Sequence, residues 1–191
     1  MALSGTALCA TMVSVVRKVE LPENYVVFDL ETTGYTPKNA EIIEIGAIRC
    51  LGGEAYLRFR TFVCPQSAIP PFITDLTGIT NEMVCTAPPW QEAVRAFLSF
   101  AGDLPVVGHN VRFDLSFMRH YASAIGETFD PPFYDTLALA RRTFKTSPNK
   151  PENFKLETLK QFLGLSFTSH RALSDCEVTQ YLFEYCRKKP G

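Results

Sequence analysis

The sequence feature that most constrains this chain is residues 25–31, Tyr-Val-Val-Phe-Asp-Leu-Glu, where a short apolar run ends in two carboxylates. The run is rich in β-branched and aromatic residues, which predicts a buried strand. Side chains alternate faces along a strand, so Asp29 and Glu31 share one face. Two carboxylates at the end of a buried strand repel each other and resist desolvation. No Lys or Arg lies among residues 19–37 to compensate them.

Two interpretations of this stretch follow. Hard divalent ions prefer oxygen ligands and can be shared by carboxylates, so the pair would be held by metal. Alternatively, the pair is an acidic turn at a strand end, where Thr32, Thr33 and Gly34 simply make the turn. Residues elsewhere in the chain have to decide between the two.

The composition indicates a globular domain with a sizeable core. The chain has 191 residues, of which 46% are hydrophobic and 20% are charged, a balance typical of one soluble domain. The formal net charge is −1, whereas nucleic-acid binders more often carry a basic field. Nucleic-acid binding here would therefore depend on local Lys and Arg, on metal ions or on a partner.

The ends of the chain and its cysteines indicate a cytoplasmic protein without a membrane span. Six cysteines form no C-x-x-C pair, which is typical of free thiols in a reducing compartment. Residues 1–23 carry their positive charge after the apolar part, unlike a secretory signal. We expect an N-terminal tail or lead-in over 1–23, one domain over 24–187 and a C-terminal tail over 188–191.

The spacing of apolar residues predicts the elements between these ends. Strands over residues 41–50 and 54–63 flank a Gly52-Gly53 turn, which is a hairpin signal. Glu41 and Glu44 are expected at loop-end or surface positions. Residues 90–101 have helical spacing between two prolines and a glycine, and residues 104–108 read as a further buried strand.

Two more carboxylates fall on predicted helices. Asp114 lies in the first turns of a helix that follows the strand over 104–108. Its simplest role there is a favourable interaction with the helix dipole, and a functional role is the alternative. Asp175 shares a helix face with apolar residues, and an inward Asp requires a metal or a hydrogen-bond cluster. His170 precedes it closely and is expected at the rim of the same site.

The three motifs together resemble the DEDDh, or DnaQ-like, 3′-5′ exonucleases. They are Asp29-x-Glu31, the His-Asn-x-x-Phe-Asp run ending at Asp114, and His170-x-x-x-x-Asp175. That family includes the epsilon proofreading subunit of bacterial replicases and the exonuclease domain of the Gram-positive replicative DNA polymerase. The resemblance covers about residues 24–186 and implies an α/β ribonuclease-H-like fold, with a mixed five-stranded sheet flanked by helices.

The resemblance also implies a two-metal mechanism with Mg²⁺ or Mn²⁺. Asp29 would bridge two ions, Glu31 and Asp175 would complete one, and Asp114 would hold the other, largely through water. Two divalent ions stabilise the attacking and leaving oxygens of phosphodiester hydrolysis. His170 would be the general base that takes a proton from water.

The implied substrate is a frayed or single-stranded 3′ end of DNA, released as nucleoside 5′-monophosphates in replication or repair. The residues expected to contact this DNA end lie in the first acidic motif and the turn after it, in the loop around residues 76–77, in the second motif and at His170. They are Leu30, Thr32, Thr33, Gly34, Leu76, Thr77, Asn110, Phe113 and His170, with Lys155 and Arg171 available for phosphates.

One position departs from the epsilon pattern. Thr77, in Leu76-Thr77-Gly78-Ile79-Thr80, stands where epsilon carries a His, and this form is similar to the polymerase-embedded exonuclease. We expect a free-standing exonuclease, with a DNA polymerase as a further candidate partner. Two alternatives stay open: a 3′-5′ exoribonuclease of the same fold, and a non-catalytic nucleic-acid-binding module. All four carboxylates and His170 are present, which counts against the second.

Overall fold

A computed structural model describes residues 20–145, 147–166 and 171–189. Its centre is a five-stranded sheet with the order β3-β2-β1-β4-β5. Strand β1 pairs antiparallel with β2 and parallel with β4. The strands are β1 (Tyr25–Thr32), β2 (Ile42–Leu51), β3 (Glu54–Phe62), β4 (Val106–Gly108) and β5 (Phe133–Asp135).

Helices cover both faces of this mixed sheet, as expected. They are α1 (Pro71–Thr77), α2 (Asn81–Val84), α3 (Trp90–Ala101), α4 (Arg112–Ala124), α5 (Thr136–Phe144), α6 (Leu156–Phe162) and α7 (Ala172–Lys188). No helix within the described residues is both long and apolar enough to span a bilayer.

The alternation of β1 divides the core in two. The even-numbered residues Val26, Phe28 and Leu30 pack against α3 and α4. The odd-numbered residues Tyr25 and Val27 face α7. Continuing this alternation puts the next two odd positions, both acidic, on the α7 face of the sheet.

The N-terminal half of α7 lies unusually close to the sheet because of Gly46 on β2. A Cβ atom added at Gly46 would lie 2.4 Å from the carbonyl carbon of Ala172. No side chain fits in that space, so only glycine permits this approach. The Cys176 thiol adds a hydrogen bond to the Gly46 carbonyl oxygen at 3.3 Å. These contacts fix the first turns of α7 over the centre of the sheet.

Two local predictions are confirmed. Gly52 and Gly53 make the β2–β3 turn, both with positive φ. The helix over 90–101 has the predicted bounds. The structure also shows a side-chain cap on α5, where Asp135 accepts a hydrogen bond from the Leu137 amide at 2.9 Å.

One prediction about β2 is wrong. Glu44 was expected at the surface, yet its side chain is fully buried. The reason is that helices cover both faces of the sheet here, so β2 has no solvent-facing side and the alternation rule for half-exposed strands does not apply.

Candidate active site

Three of the predicted carboxylates meet at the end of β1. Ligand oxygens of Asp29, Glu31 and Asp175 all lie within 4.8 Å of one another. Asp29 and Glu31 come from neighbouring odd positions of β1, and Asp175 comes from the first turn of α7. All three side chains are half-buried, so each remains partly accessible to solvent.

The fourth carboxylate approaches from the opposite layer. Asp114 lies in the first turn of α4 and is buried. Its Oδ1 accepts a hydrogen bond from the Leu30 backbone amide at 3.1 Å. Leu30 lies between Asp29 and Glu31, and β4 ends too early to pair with it, since the β1–β4 register stops at Val27. Asp114 therefore takes the place of a missing strand partner.

Three of the four carboxylates, Asp29, Glu31 and Asp114, have raised pKa values. Burial is the main cause, and repulsion from neighbouring carboxylates adds to it. The pKa of Asp29 is raised well above its ordinary value by burial and then by Asp114, Glu31 and Asp175. Burial raises the pKa of Glu31 to about 8, with Asp175 as the next cause. Burial also raises the pKa of Asp114 to about 8, against the hydrogen bond from Leu30.

This donor set fits divalent cations. After burial, the groups that raise the pKa of Glu31 most are the carboxylates of Asp175, Glu44 and Asp114, and a divalent cation would offset this repulsion. Clustered carboxylate oxygens are the ligands that Mg²⁺ and Mn²⁺ prefer. An acidic turn alone does not explain why a helix from the far end of the chain adds Asp175 to the pair.

A pocket of about 170 Å³ adjoins the carboxylates. It is bounded by β1 and its following turn, by α1 and by the start of α4. Six residues predicted to contact substrate line it: Leu30, Thr32, Gly34, Leu76, Thr77 and Phe113.

The pocket also has two walls that sequence reasoning missed. Ile73 is a buried residue of α1, and Tyr35 is 82% exposed at the rim. Phe72 and Leu76 are also exposed on α1. The position of Tyr35, directly after the predicted Gly34, was the available signal. Ile73 gave none, because only the fold brings α1 against β1.

The sequence profile of the exonuclease family, of the RNase T type, matches residues 26–183 of this chain. The chain belongs to this exonuclease family. That is a family of nuclease hydrolases. The recognition of a DnaQ-like exonuclease from three motifs is thereby confirmed.

Curated relatives include two components of bacterial replicases. The exonuclease is 39% identical over 168 residues to the PolC-type DNA polymerase III of Clostridium perfringens, covering 87% of this chain and 11% of that protein. It is 37% identical over 165 residues to the DNA polymerase III epsilon subunit of Aquifex aeolicus, covering 85% and 80%. The chain thus spans about a tenth of its PolC-type relatives and most of the epsilon subunit.

A solved structure confirms the fold. Escherichia coli exonuclease I, in complex with a dT13 oligonucleotide, matches with a TM-score of 0.76 at 21% identity, over 87% of this chain and 41% of that one. The mixed five-stranded sheet with flanking helices is therefore the exonuclease fold predicted from the motifs.

Among the described residues, two that were predicted to contact substrate, Thr33 and Asn110, are not part of the pocket lining. Thr33 instead stabilises the loop between β1 and β2 through two hydrogen bonds to Glu41. Its backbone amide donates to the Glu41 carbonyl oxygen, and its hydroxyl accepts from the Glu41 amide, both at 2.8 Å. Asn110 is exposed and has a φ of 60°. Its backbone N–H donates a hydrogen bond to the Asp135 carboxylate at 3.0 Å. A left-handed asparagine at the β4–α4 turn is a strained position of the kind that clusters near active sites.

The hydroxyl of Thr77 is committed within α1. It donates to the Ile73 carbonyl oxygen at 2.9 Å and accepts from the Ile79 amide at 3.1 Å. Its single proton is therefore in use, so the hydroxyl has no donor left for a substrate. The exonuclease thus has no free side-chain donor at the position where the epsilon pattern carries a histidine.

Of the predicted general base, His170, and the two candidates for phosphate binding, Lys155 and Arg171, the structure describes only the last two. His170 lies outside the described residues. Lys155 is exposed just before α6. Arg171, by contrast, pairs with the buried Glu44 at 3.4 Å. His109, the first residue of the His-Asn-x-x-Phe-Asp run, has both ring nitrogens in hydrogen bonds, with the Thr136 hydroxyl at 3.0 Å and the Phe154 carbonyl oxygen at 2.9 Å.

Proposed function

We propose that this chain is a metal-dependent 3′-5′ exonuclease that hydrolyses the terminal phosphodiester bond of single-stranded or frayed DNA. The observation that carries the proposal is the carboxylate cluster of Asp29, Glu31 and Asp175, with Asp114 bonded between the two strand residues. Family membership supports the reaction class, and the polymerase relatives support DNA as the substrate.

The four carboxylates would hold two divalent ions, Mg²⁺ or Mn²⁺. When bound, such a pair activates a water and offsets the charge that develops on the attacking and leaving oxygens. Asp29, central in the cluster, is the residue we assign to both ions. Glu31 and Asp175 would complete one site, and Asp114 the other.

The chain's own groups supply the remaining functions. The pocket beside Glu31 would receive the terminal nucleotide, because its apolar walls suit a base and the exposed ring of Tyr35 lies at its rim. We assign His170 as the general base, since a neutral imidazole can take a proton from water near pH 7. Products would be nucleoside 5′-monophosphates.

A single assay separates this function from its alternatives. Oligomers of DNA and RNA with matched sequences, labelled at either end, are incubated with Mg²⁺, with Mn²⁺ and with EDTA. We expect mononucleotides from the 3′ end of DNA, only with metal. Preferential digestion of RNA would instead establish an exoribonuclease, since the 2′-hydroxyl is what distinguishes the two substrates. Binding without cleavage under every condition would establish a non-catalytic module.

A further inference from the structure

Glu44 lies directly beside the carboxylate cluster without belonging to it. In the β1–β2 register it is the partner of Glu31, and directly opposed residues of neighbouring strands project from the same face of a sheet. Its side chain is fully buried. A buried carboxylate next to two acidic metal ligands is costly unless it is paired and hydrogen-bonded.

Two arginines pair with Glu44. Arg60, from β3, donates from Nε at 2.6 Å. Arg171, just before α7, donates from its guanidinium at 3.4 Å. Both guanidinium groups also lie over the ring of Phe62, at 4.9 and 5.3 Å from its centroid. Glu44 thus holds the guanidinium groups of Arg60 and Arg171 near the carboxylate cluster and neutralises part of their charge.

The second oxygen of Glu44 meets the start of α7. It accepts a hydrogen bond from the Ala172 amide at 3.2 Å, the first amide of the helix. The residue at the N-cap position, Arg171, supplies no side-chain cap of its own. Initial helical amides need an acceptor, and a negative charge there is favoured by the helix dipole. Glu44 supplies both from a strand 128 residues away.

The hydrogen bond between Ala172 and Glu44 lies close to Asp175, a candidate metal ligand. Asp175 follows Ala172 by three residues, which is less than one turn or about 4.5 Å along the helix. The close approach of α7 at Gly46 lies two residues further along β2. Glu44 and Gly46 together therefore set where the first turn of α7, and with it Asp175, meets Asp29.

We infer that Glu44 is a positioning residue of this active site, which holds the start of α7 so that Asp175 remains within the metal-binding cluster. The inference rests on the proposed metal-dependent function. Removing the Glu44 charge would loosen the start of α7 and leave two arginine charges uncompensated near the cations. Both effects weaken metal binding.

The test measures Mn²⁺ affinity by electron paramagnetic resonance, which needs no turnover. Glu44→Gln removes the charge, and Glu44→Asp keeps the charge but shortens its reach. Glu184→Gln is the matched control: Glu184 is also buried and arginine-paired, with Arg187 at 2.7 Å. It lies nine residues beyond Asp175, about 14 Å along α7.

We expect Glu44→Gln to lower Mn²⁺ affinity about 10- to 100-fold, the usual cost of losing an outer-sphere partner. Glu44→Asp should lower it by less, and Glu184→Gln should leave it within twofold of wild type even if the melting temperature falls. Circular dichroism checks folding, and if Glu44→Gln does not fold, Glu44→Asp decides.

Wild-type affinity in a folded Glu44 variant overturns the inference, as does an equal loss in Glu184→Gln, which would indicate general destabilisation. A wild-type protein that binds no Mn²⁺ would overturn the proposed function itself, and the inference with it. The two failures are therefore distinguishable.

Discussion

The carboxylate of Asp114 and the backbone amide of Leu30 form a 3.1 Å hydrogen bond that ties α4 to β1 between its two acidic residues. A backbone amide past the end of a neighbouring strand needs an acceptor, and here a candidate metal ligand provides it. The bond holds Asp114 beside the backbone segment that carries Asp29 and Glu31. The fold itself thus brings these carboxylates together.

That assembly predicts an unusual pH dependence of stability. The pKa values of Asp29, Glu31 and Asp114 are raised in the folded, metal-free protein. Between about pH 4.5 and 8 the unfolded chain loses these protons while the folded protein keeps them, so the free energy of unfolding falls as pH rises. The slope is at most about 1.4 kcal/mol per pH unit for each retained proton.

Melting temperatures in EDTA between pH 5 and 8.5 check this. We expect a steady decrease that Mg²⁺ largely removes, because the cation stabilises the ionised form. A melting temperature that rises with pH in EDTA would contradict the raised pKa values.

Asp29→Asn should separate catalysis from stability. Hydrolysis should fall by more than about 100-fold, beyond the usual cost of an outer-sphere change. The metal-free melting temperature at neutral pH should be unchanged or higher, because folding no longer forces a proton onto a carboxylate whose pKa is raised in the folded state. Asp130→Asn is the control, since Asp130 is a surface residue paired with Arg119. A clear drop in the metal-free melting temperature of Asp29→Asn would count against a repelling cluster.

Tyr35→Ala should weaken substrate binding with little effect on the fold, since Tyr35 is 82% exposed. Stacking of a base on an aromatic ring contributes about 1–3 kcal/mol, so KM for single-stranded DNA should rise about 5- to 150-fold while kcat changes little. Tyr35→Phe should retain wild-type KM. Tyr56→Ala, at a second exposed tyrosine on β3, serves as control. An unchanged KM in Tyr35→Ala would remove Tyr35 from the substrate path.

His170→Ala should lower turnover about 10²- to 10⁴-fold, the usual contribution of a general base, while Mn²⁺ affinity stays near wild type. The limb of the pH–rate profile in which activity increases as imidazole loses its proton should disappear. His120→Ala, at an exposed histidine of α4, should do neither. Near-normal turnover of His170→Ala with an unchanged profile would show that the base is another group.

The carboxylates were predictable because the local sequence pattern around each one indicates which face of its strand or helix it occupies. The alternation of β1 gave Asp29 and Glu31 a common face, and helical spacing turned Asp175 inward. The order of the three motifs along the chain then matched that of a known family. Within the described residues, the structure brings together the three carboxylates that local pattern and motif had placed.

The supporting residues were not predictable, because their roles depend on distant partners. Glu44 reads as a surface residue until Arg171, 127 positions later, is folded beside it. The hydroxyl of Thr77 is consumed by backbone groups of its own turn, and residue type alone does not reveal that. Ile73 lines the pocket only because α1 packs against the end of β1.

The central claim is that Asp29, Glu31, Asp114 and Asp175 hold two divalent ions, and anomalous diffraction from Mn²⁺-soaked crystals tests it most directly. With a 3′-terminal nucleotide bound, the account predicts two anomalous peaks about 3.5–4 Å apart, both contacting Asp29. Absence of anomalous density at these carboxylates in saturating Mn²⁺, or ions bound only elsewhere on the protein, would contradict it.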